Sequence, residues 1–325
     1  MTFEPNPDQM ALYPAVSGNA INGLGEDQPR QPAYVYWGND PDDVAHGAVQ
    51  RWFYTVDPGL EGFAIERKRR AEIASAPLTP VASTPADLGP EPIAAFCAAG
   101  RDAGHFDKIG AARFDPAWAF EGVEINSKTV IVLGFHHDFA EISKAPAPEG
   151  GLEVMRQYRR AAFGATYVAN WLRGQGWAAE PLTGPMSGKM TLIPAAIAAG
   201  FGELGKHGSL ITPEFGSSFR LSAVLTDCPW PLDQPEDHGI DEFCLNCRVC
   251  SDACPPDAIA DHKQTVRGVE KWYVDFDACL PFFNEHQGCA ICIAVCPWSR
   301  PGVGLNLAAK LERRRNRLAD AAKPT

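Results

Sequence analysis

No apolar run in the chain reaches the ~18 residues a membrane span requires, and its start carries no secretory leader with an apolar stretch. A cytoplasmic protein without a membrane span is therefore expected. Positive charge is also scarce: 29 Lys and Arg against 40 Asp and Glu leave a net charge of −11, which argues against nucleic acid as a main partner. The basic run Arg67 to Arg70 lies deep in the chain and is followed by no apolar stretch. It reads as a solvated helix face, not a twin-arginine export signal.

Cysteine, in contrast, is concentrated. Ten are present, and eight fall between Cys244 and Cys296: Cys244-x-x-Cys247-x-x-Cys250-x-x-x-Cys254-Pro255, then Cys279, then Cys289-x-x-Cys292-x-x-x-Cys296-Pro297. Three cysteines at spacing three, a fourth four residues on and a proline behind it form the bacterial ferredoxin pattern, in which the fourth thiolate serves the neighbouring cluster. Cys244, Cys247, Cys250 and Cys296 are thus expected to hold one [4Fe–4S] cluster, and Cys289, Cys292 and Cys254 the second. A symmetric ferredoxin would place the missing ligand at His286. Cys279, after the strand-like run Trp272 to Phe276, is assigned instead, because thiolate is the usual donor to an iron–sulfur cube and imidazole the Rieske-type exception. Zinc sites come as separated cysteine pairs, and disulfide scaffolds belong to small secreted chains, so neither suits the pattern. Cys97 and Cys228 remain as small buried apolar residues.

A two-cluster module accounts only for residues 236–305. Residues 1–90, rich in Pro, Gly and Asp, read as a loop-rich N-terminal extension. Residues 91–235 form the main domain: helices over Pro92 to Gly104 and Leu152 to Arg173, the latter apolar nearly all round, and strands at Thr129 to Gly134 and Leu221 to Thr226. Strands and long helices without a repeating βα unit indicate an α+β fold. Residues 306–325 form a basic C-terminal tail.

Gly200-x-Gly202-x-x-Gly205 matches a dinucleotide fingerprint, and Gly200 to His207 misses a P-loop by one residue. Both motifs need a strand feeding the turn. Here the preceding Pro194 to Ala199 reads as a helix, His207 replaces the magnesium-binding hydroxyl, and Glu203 would oppose phosphate. The glycines instead let the backbone approach something bulky, or end a helix.

The segment Ala199 to Leu221, together with Lys271 to Val274, Cys279 to Phe283 and Cys289 to Trp298, resembles the cobalamin-dependent reductive dehalogenases, and more distantly epoxyqueuosine reductase. The resemblance runs from about Phe114 to Trp298. It implies a nitroreductase-like corrinoid-binding core ahead of the two-[4Fe–4S] ferredoxin-like domain, with base-off cobalamin as a further cofactor and Gly200, Gly202 and Gly205 at its binding site. The chain has no Asp-x-His-x-x-Gly, the motif by which other corrinoid proteins offer histidine to cobalt. The resemblance also assigns catalytic residues: Tyr158 as proton donor, Arg220 as its basic partner, and Lys189, in the loop Gly184 to Met190, as a third polar residue.

The expected reaction is reductive removal of halide from an organohalide, haloaromatic or similar. A phenol with a pKa of about 10 becomes a better acid when a cation stabilises its phenolate, a role open to Arg220 and Lys189. Two other readings stand beside this one: another corrinoid reductase of the epoxyqueuosine type, and a non-enzymatic electron-transfer or corrinoid-handling protein. Without an export signal or a fused flavin domain, the chain is expected to draw electrons from a separate ferredoxin, flavodoxin or reductase, with Lys310 to Arg317 as a docking site.

Overall fold

The computed structural model describes residues 3–184 and 188–321. Pro185, Met186 and Ser187, in the loop expected to carry the third polar residue, lie outside the described residues, as do the last four of the tail. Among the described residues five α-helices precede the first strand: α1 (Pro7–Met10), α2 (Gly18–Ile21), α3 (Gly47–Phe53), α4 (Gly62–Ser75) and α5 (Pro90–Asp102). The middle of the chain forms β1 (Lys108–Arg113), β2 (Thr129–His136), α6 (Phe139–Ile142), α7 (Pro148–Gly174), β3 (Ala179–Leu182), α8 (Leu192–Ala198), β4 (Glu203–Leu204), β5 (Leu210–Ile211) and β6 (Phe219–Thr226). The last part forms α9 (Ile240–Asn246), α10 (Val249–Asp252), β7 (Gln264–Val266), β8 (Val269–Lys271), α11 (Phe276–Glu285), α12 (Ile291–Ala294) and α13 (Val303–Ala321). Among the described residues no helix is long and apolar enough to cross a membrane.

The core is a four-stranded antiparallel sheet in the order β1-β2-β6-β3. β2 reads TVIVLGFH and is buried along almost its whole length, because both faces of the sheet are covered. Ile131, Leu133 and Phe135 point to the side packed by α5 and α7, while Val130 and Val132 point to the side packed by α8. Each such side chain contributes roughly 1.5–3 kcal/mol on burial. α7 approaches the sheet closely through small residues. A Cβ at Gly164 would lie 2.7 Å from both the His105 carbonyl and the Phe135 ring. Its other face is charged, with Arg156, Arg159 and Arg160 paired to Glu153, Glu66 and Asp107, so the helix is amphipathic and not apolar all round.

The N-terminal segment holds more helix than its composition implies. α4 lies along α7, with Gly151 against Phe63 and Gly62 against Leu152. The expected solvated face there is only partly so: the Arg67 guanidinium sits over the rings of Phe53, Tyr54 and Phe63 and donates to Gln287. The segment also binds the C-terminal part, through Tyr36 Oη donating to Asn284 at 2.7 Å and Gln9 donating to the Pro281 carbonyl. Only one residue of the strand-like run Trp272 to Phe276 pairs as a strand does. β8 ends at Lys271, Val274 makes one bridge to Ile259, and Asp275 caps α11 by accepting from the Ala278 N–H at 2.9 Å. Cys279 therefore sits in a helix, not at a strand end.

Candidate functional site

All ten cysteines are free thiols, and eight sort into two neighbourhoods. Cys296, Cys250 and Cys247 act electrostatically on Cys244, and Cys254 and Cys289 act on Cys279. Cys292 feels Cys289, Cys279 and Cys254 of its own group, and also Cys250 of the other, so the two sets abut. Burial is the leading cause that pushes Cys244 and Cys279 up to about 12 and Cys250 and Cys289 up to about 11. Bare, these thiols hold their protons, and ligation must displace them. Backbone N–H groups are already aimed at the sulfurs: Ala258 at Cys254 (3.4 Å) and Ile291 at Cys289 (3.5 Å). His286 caps α11, its Nδ1 2.9 Å from the Phe282 carbonyl and its ring stacked on Phe282. Cys97 and Cys228 belong to the core between the sheet and α7.

A cavity of about 240 Å³ opens beside the middle of α7 and the start of β6, with Tyr158 and Arg220 both in its wall. The sheet register sets Arg220 opposite Phe135, and its guanidinium carbon lies 5.4 Å from the centre of the Tyr158 ring. The cation thus covers the ring face. Arg220 Nε is buried without a hydrogen-bond partner among the described residues. Apolar side chains, including Leu182, Met190, Leu192 and Phe219, make up much of the remaining wall. Lys189 is not in that wall. Its ammonium pairs with Glu180 at 2.7 Å on the surface, so the structure does not bring it to Tyr158.

The three glycines approach the protein itself. Gly200, at φ +70°, follows the end of α8, and a Cβ there would lie 2.8 Å from the Gln234 carbonyl. At Gly202, φ +146°, a Cβ would lie 2.0 Å from the Ile211 carbonyl, and at Gly205 it would lie 2.5 Å from the Ile211 side chain. Gly202 and Gly205 thus hold the β4–β5 hairpin closed, while Gly200 packs against the chain at Gln234.

Sequence reasoning missed the residues that join the cavity to the cysteines. Ser217 lines the cavity, bonds to Ser299 at 3.0 Å, and favours the thiolate of Cys296. On another side Phe120 is shared with a second, aromatic cavity of about 360 Å³, bounded by Tyr34, Tyr36, Trp37, Phe276 and Cys279. Tyr34 stacks on Phe120 with centroids 4.0 Å apart. Behind the first cavity, His207 accepts from the N–H of Ser209, a wall residue, at 3.2 Å, and its buried Nε2 has no partner among the described residues.

A family model for a 4Fe-4S dicluster domain matches residues 243–299. Over 233 residues the chain is 32% identical to the tetrachloroethene reductive dehalogenase of Desulfitobacterium hafniense, covering 68% of this chain and 42% of that one. Epoxyqueuosine reductase of Cellulophaga algicola is 32% identical over 122 residues, 32% of this chain and 36% of the relative. Among solved structures, the catabolic reductive dehalogenase NpRdhA in complex with 3-bromo-4-hydroxybenzoic acid superposes with a TM-score of 0.71 at 21% identity, over 92% of this chain and 46% of that one. The fold is thus α+β, a nitroreductase-like core followed by a ferredoxin-like iron–sulfur domain. The chain is a relative of the cobalamin-dependent reductive dehalogenases, and more distantly of epoxyqueuosine reductase, and spans less than half the length of the dehalogenase relatives described above.

Proposed function

We propose that the chain is a corrinoid- and iron–sulfur-dependent reductive dehalogenase that replaces halogen by hydrogen on an organohalide, using two electrons and one proton and releasing halide. The observation that carries this reading is the shared cavity wall of Tyr158 and Arg220, linked through Ser217 to Cys296. The thiol neighbourhoods suit two clusters, on Cys244, Cys247, Cys250 and Cys296 and on Cys254, Cys279, Cys289 and Cys292. Arg220 Nε, buried and unpartnered among the described residues, suits an amide-fringed corrinoid against the same wall. When bound, the corrinoid supplies low-potential electrons to the carbon–halogen bond.

The residues of the chain do the rest. Tyr158 holds a proton at Oη for the carbon that loses halide. Arg220 covers its ring and brings positive charge to where halide departs. The apolar wall keeps water from competing for the reaction. The aromatic lining around Tyr34 and Phe120 favours a flat haloaromatic over a small haloalkene. Electrons come from a separate ferredoxin, flavodoxin or reductase.

The test is anaerobic reconstitution with iron, sulfide and cobalamin, followed by halide-release assays on bromophenols and on tetrachloroethene. Tyr158→Phe should keep clusters, corrinoid and cobalt reduction, and lose about 10²–10⁴ in rate, as removal of a positioned general acid does. Turnover by Tyr158→Phe at the wild-type rate would sink the assignment. In the Co(II) EPR spectrum, superhyperfine splitting from an axial nitrogen would exclude the base-off state.

A further inference from the structure

The two thiol neighbourhoods have unlike electrostatic surroundings. Lys206 follows the β4–β5 hairpin turn at Gly205, and its side chain is only 1% exposed. Its Nζ lies 5.3 Å from the centre of the Trp272 ring, which packs in one core with Cys244 and Cys296. It lies 3.3 Å from the carboxylate of Asp261. Asp261 also accepts from the hydroxyl of Ser251, the residue after Cys250, at 2.9 Å, and pairs with Arg248, which sits between Cys247 and Cys250. The Lys206 backbone favours the thiolate of Cys244, and its ammonium favours that of Cys250. Ser217, Trp298 and Ser299 each favour the thiolate of Cys296. In the other neighbourhood the side-chain charges acting on the thiols are negative: Asp257 on Cys254 and Asp275 on Cys279.

A buried ammonium is costly, and one exposed carboxylate repays little of that cost. It stabilises an additional negative charge placed beside it. Reducing an iron–sulfur cube adds such a charge, and its potential responds to net charge and to hydrogen bonds on its sulfurs. We propose that Lys206 is a tuning residue for electron transfer: its ammonium holds the potential of the cluster on Cys244, Cys247, Cys250 and Cys296 above that of the cluster on Cys254, Cys279, Cys289 and Cys292. A first electron then rests on the cluster beside α13, and the more reducing cluster is the one whose Cys279 borders the aromatic cavity.

This inference rests on the two-cluster reading, which iron analysis of the wild type tests separately: fewer than eight irons in fully reconstituted protein overturns that reading and this inference together. With eight irons present, EPR-monitored redox titration of Lys206→Met should move the higher-potential signal downward, by at least tenfold in its reduction equilibrium, about 59 mV for one electron. The lower-potential signal should stay, and Lys206→Arg should restore most of the difference. Unmoved signals in Lys206→Met, or an upward shift, overturn the proposal. If Lys206→Met does not take up both clusters, Asp261→Asn carries the test: removing the counter-anion should raise the same signal, and an unchanged potential refutes the role.

Discussion

His207 shows how one side chain couples the hairpin below the cavity to pH. Burial lowers its pKa to about 4, against about 6.5 in an unfolded chain. Between those values the unfolded state binds the proton and the folded state does not, so stability is present above pH 6.5 and is lost as the pH falls toward 4. At about 1.4 kcal/mol per unit, the loss between pH 7 and pH 5 is about 2 kcal/mol. His207→Asn, which keeps an acceptor for the Ser209 N–H, should unfold with a flatter pH dependence over that window. An unaltered slope in denaturant titrations at pH 7 and pH 5 would exclude His207 as its source. Cys279 and His286 form a second contrast at this scale. Cys279 lies among the thiols of Cys254 and Cys289, whereas the His286 ring lies flat on Phe282. Cys279→Ala should therefore lower the iron count by about one cluster, and His286→Ala should leave eight irons bound. The reverse result would transfer the ligand role to the histidine.

Among the elements, legibility followed the range of the forces involved. β2 was visible because a strand covered on both faces must be apolar throughout, and the cysteine run because cluster ligation imposes local spacing. α11 was misread: Trp272 to Phe276 has strand composition, but the Asp275 cap acts three residues onward and turns the chain into a helix before Cys279. Lys189 was placed by the resemblance alone, and its ammonium pairs with the carboxylate of Glu180 at the surface. Ser217, Phe120 and Lys206 gain their positions from contacts across the fold, which no local pattern announces. The glycine segment carried a real constraint whose partner was hidden until the hairpin closed. At Gly202 a side chain would need φ near +146° and would meet the Ile211 carbonyl at 2.0 Å. Gly202→Ala should cost about 2–4 kcal/mol from backbone strain and overpacking together. Thermal unfolding within error of wild type would show that the hairpin can open at little cost.

For the molecule as a whole, the net charge of −11 should repel an acidic electron carrier unless a local patch outweighs it. α13 offers one beside a thiol set. The tail expected from sequence is a long helix whose Leu307, Ala308 and Leu311 pack against the core holding Cys244 and Cys296. Arg315 is tied to Asp237 at 2.7 Å and Arg314 lies near Glu242, which fixes the helix against the iron–sulfur domain. Lys310, Arg313 and Arg317 are exposed on it. Truncation would strip the buried face along with the charges, so reversal is the cleaner change. Lys310→Glu, Arg313→Glu and Arg317→Glu combined should slow reduction by an acidic ferredoxin about tenfold at low ionic strength, within the range of electrostatic steering. Reduction by titanium(III) citrate should be unaffected, since a small chemical reductant needs no docking face. The difference between variant and wild type should vanish in 0.5 M salt, where screening reaches only a few ångströms. Equal ferredoxin rates at low salt would leave α13 a structural brace for the iron–sulfur domain and move the docking face elsewhere.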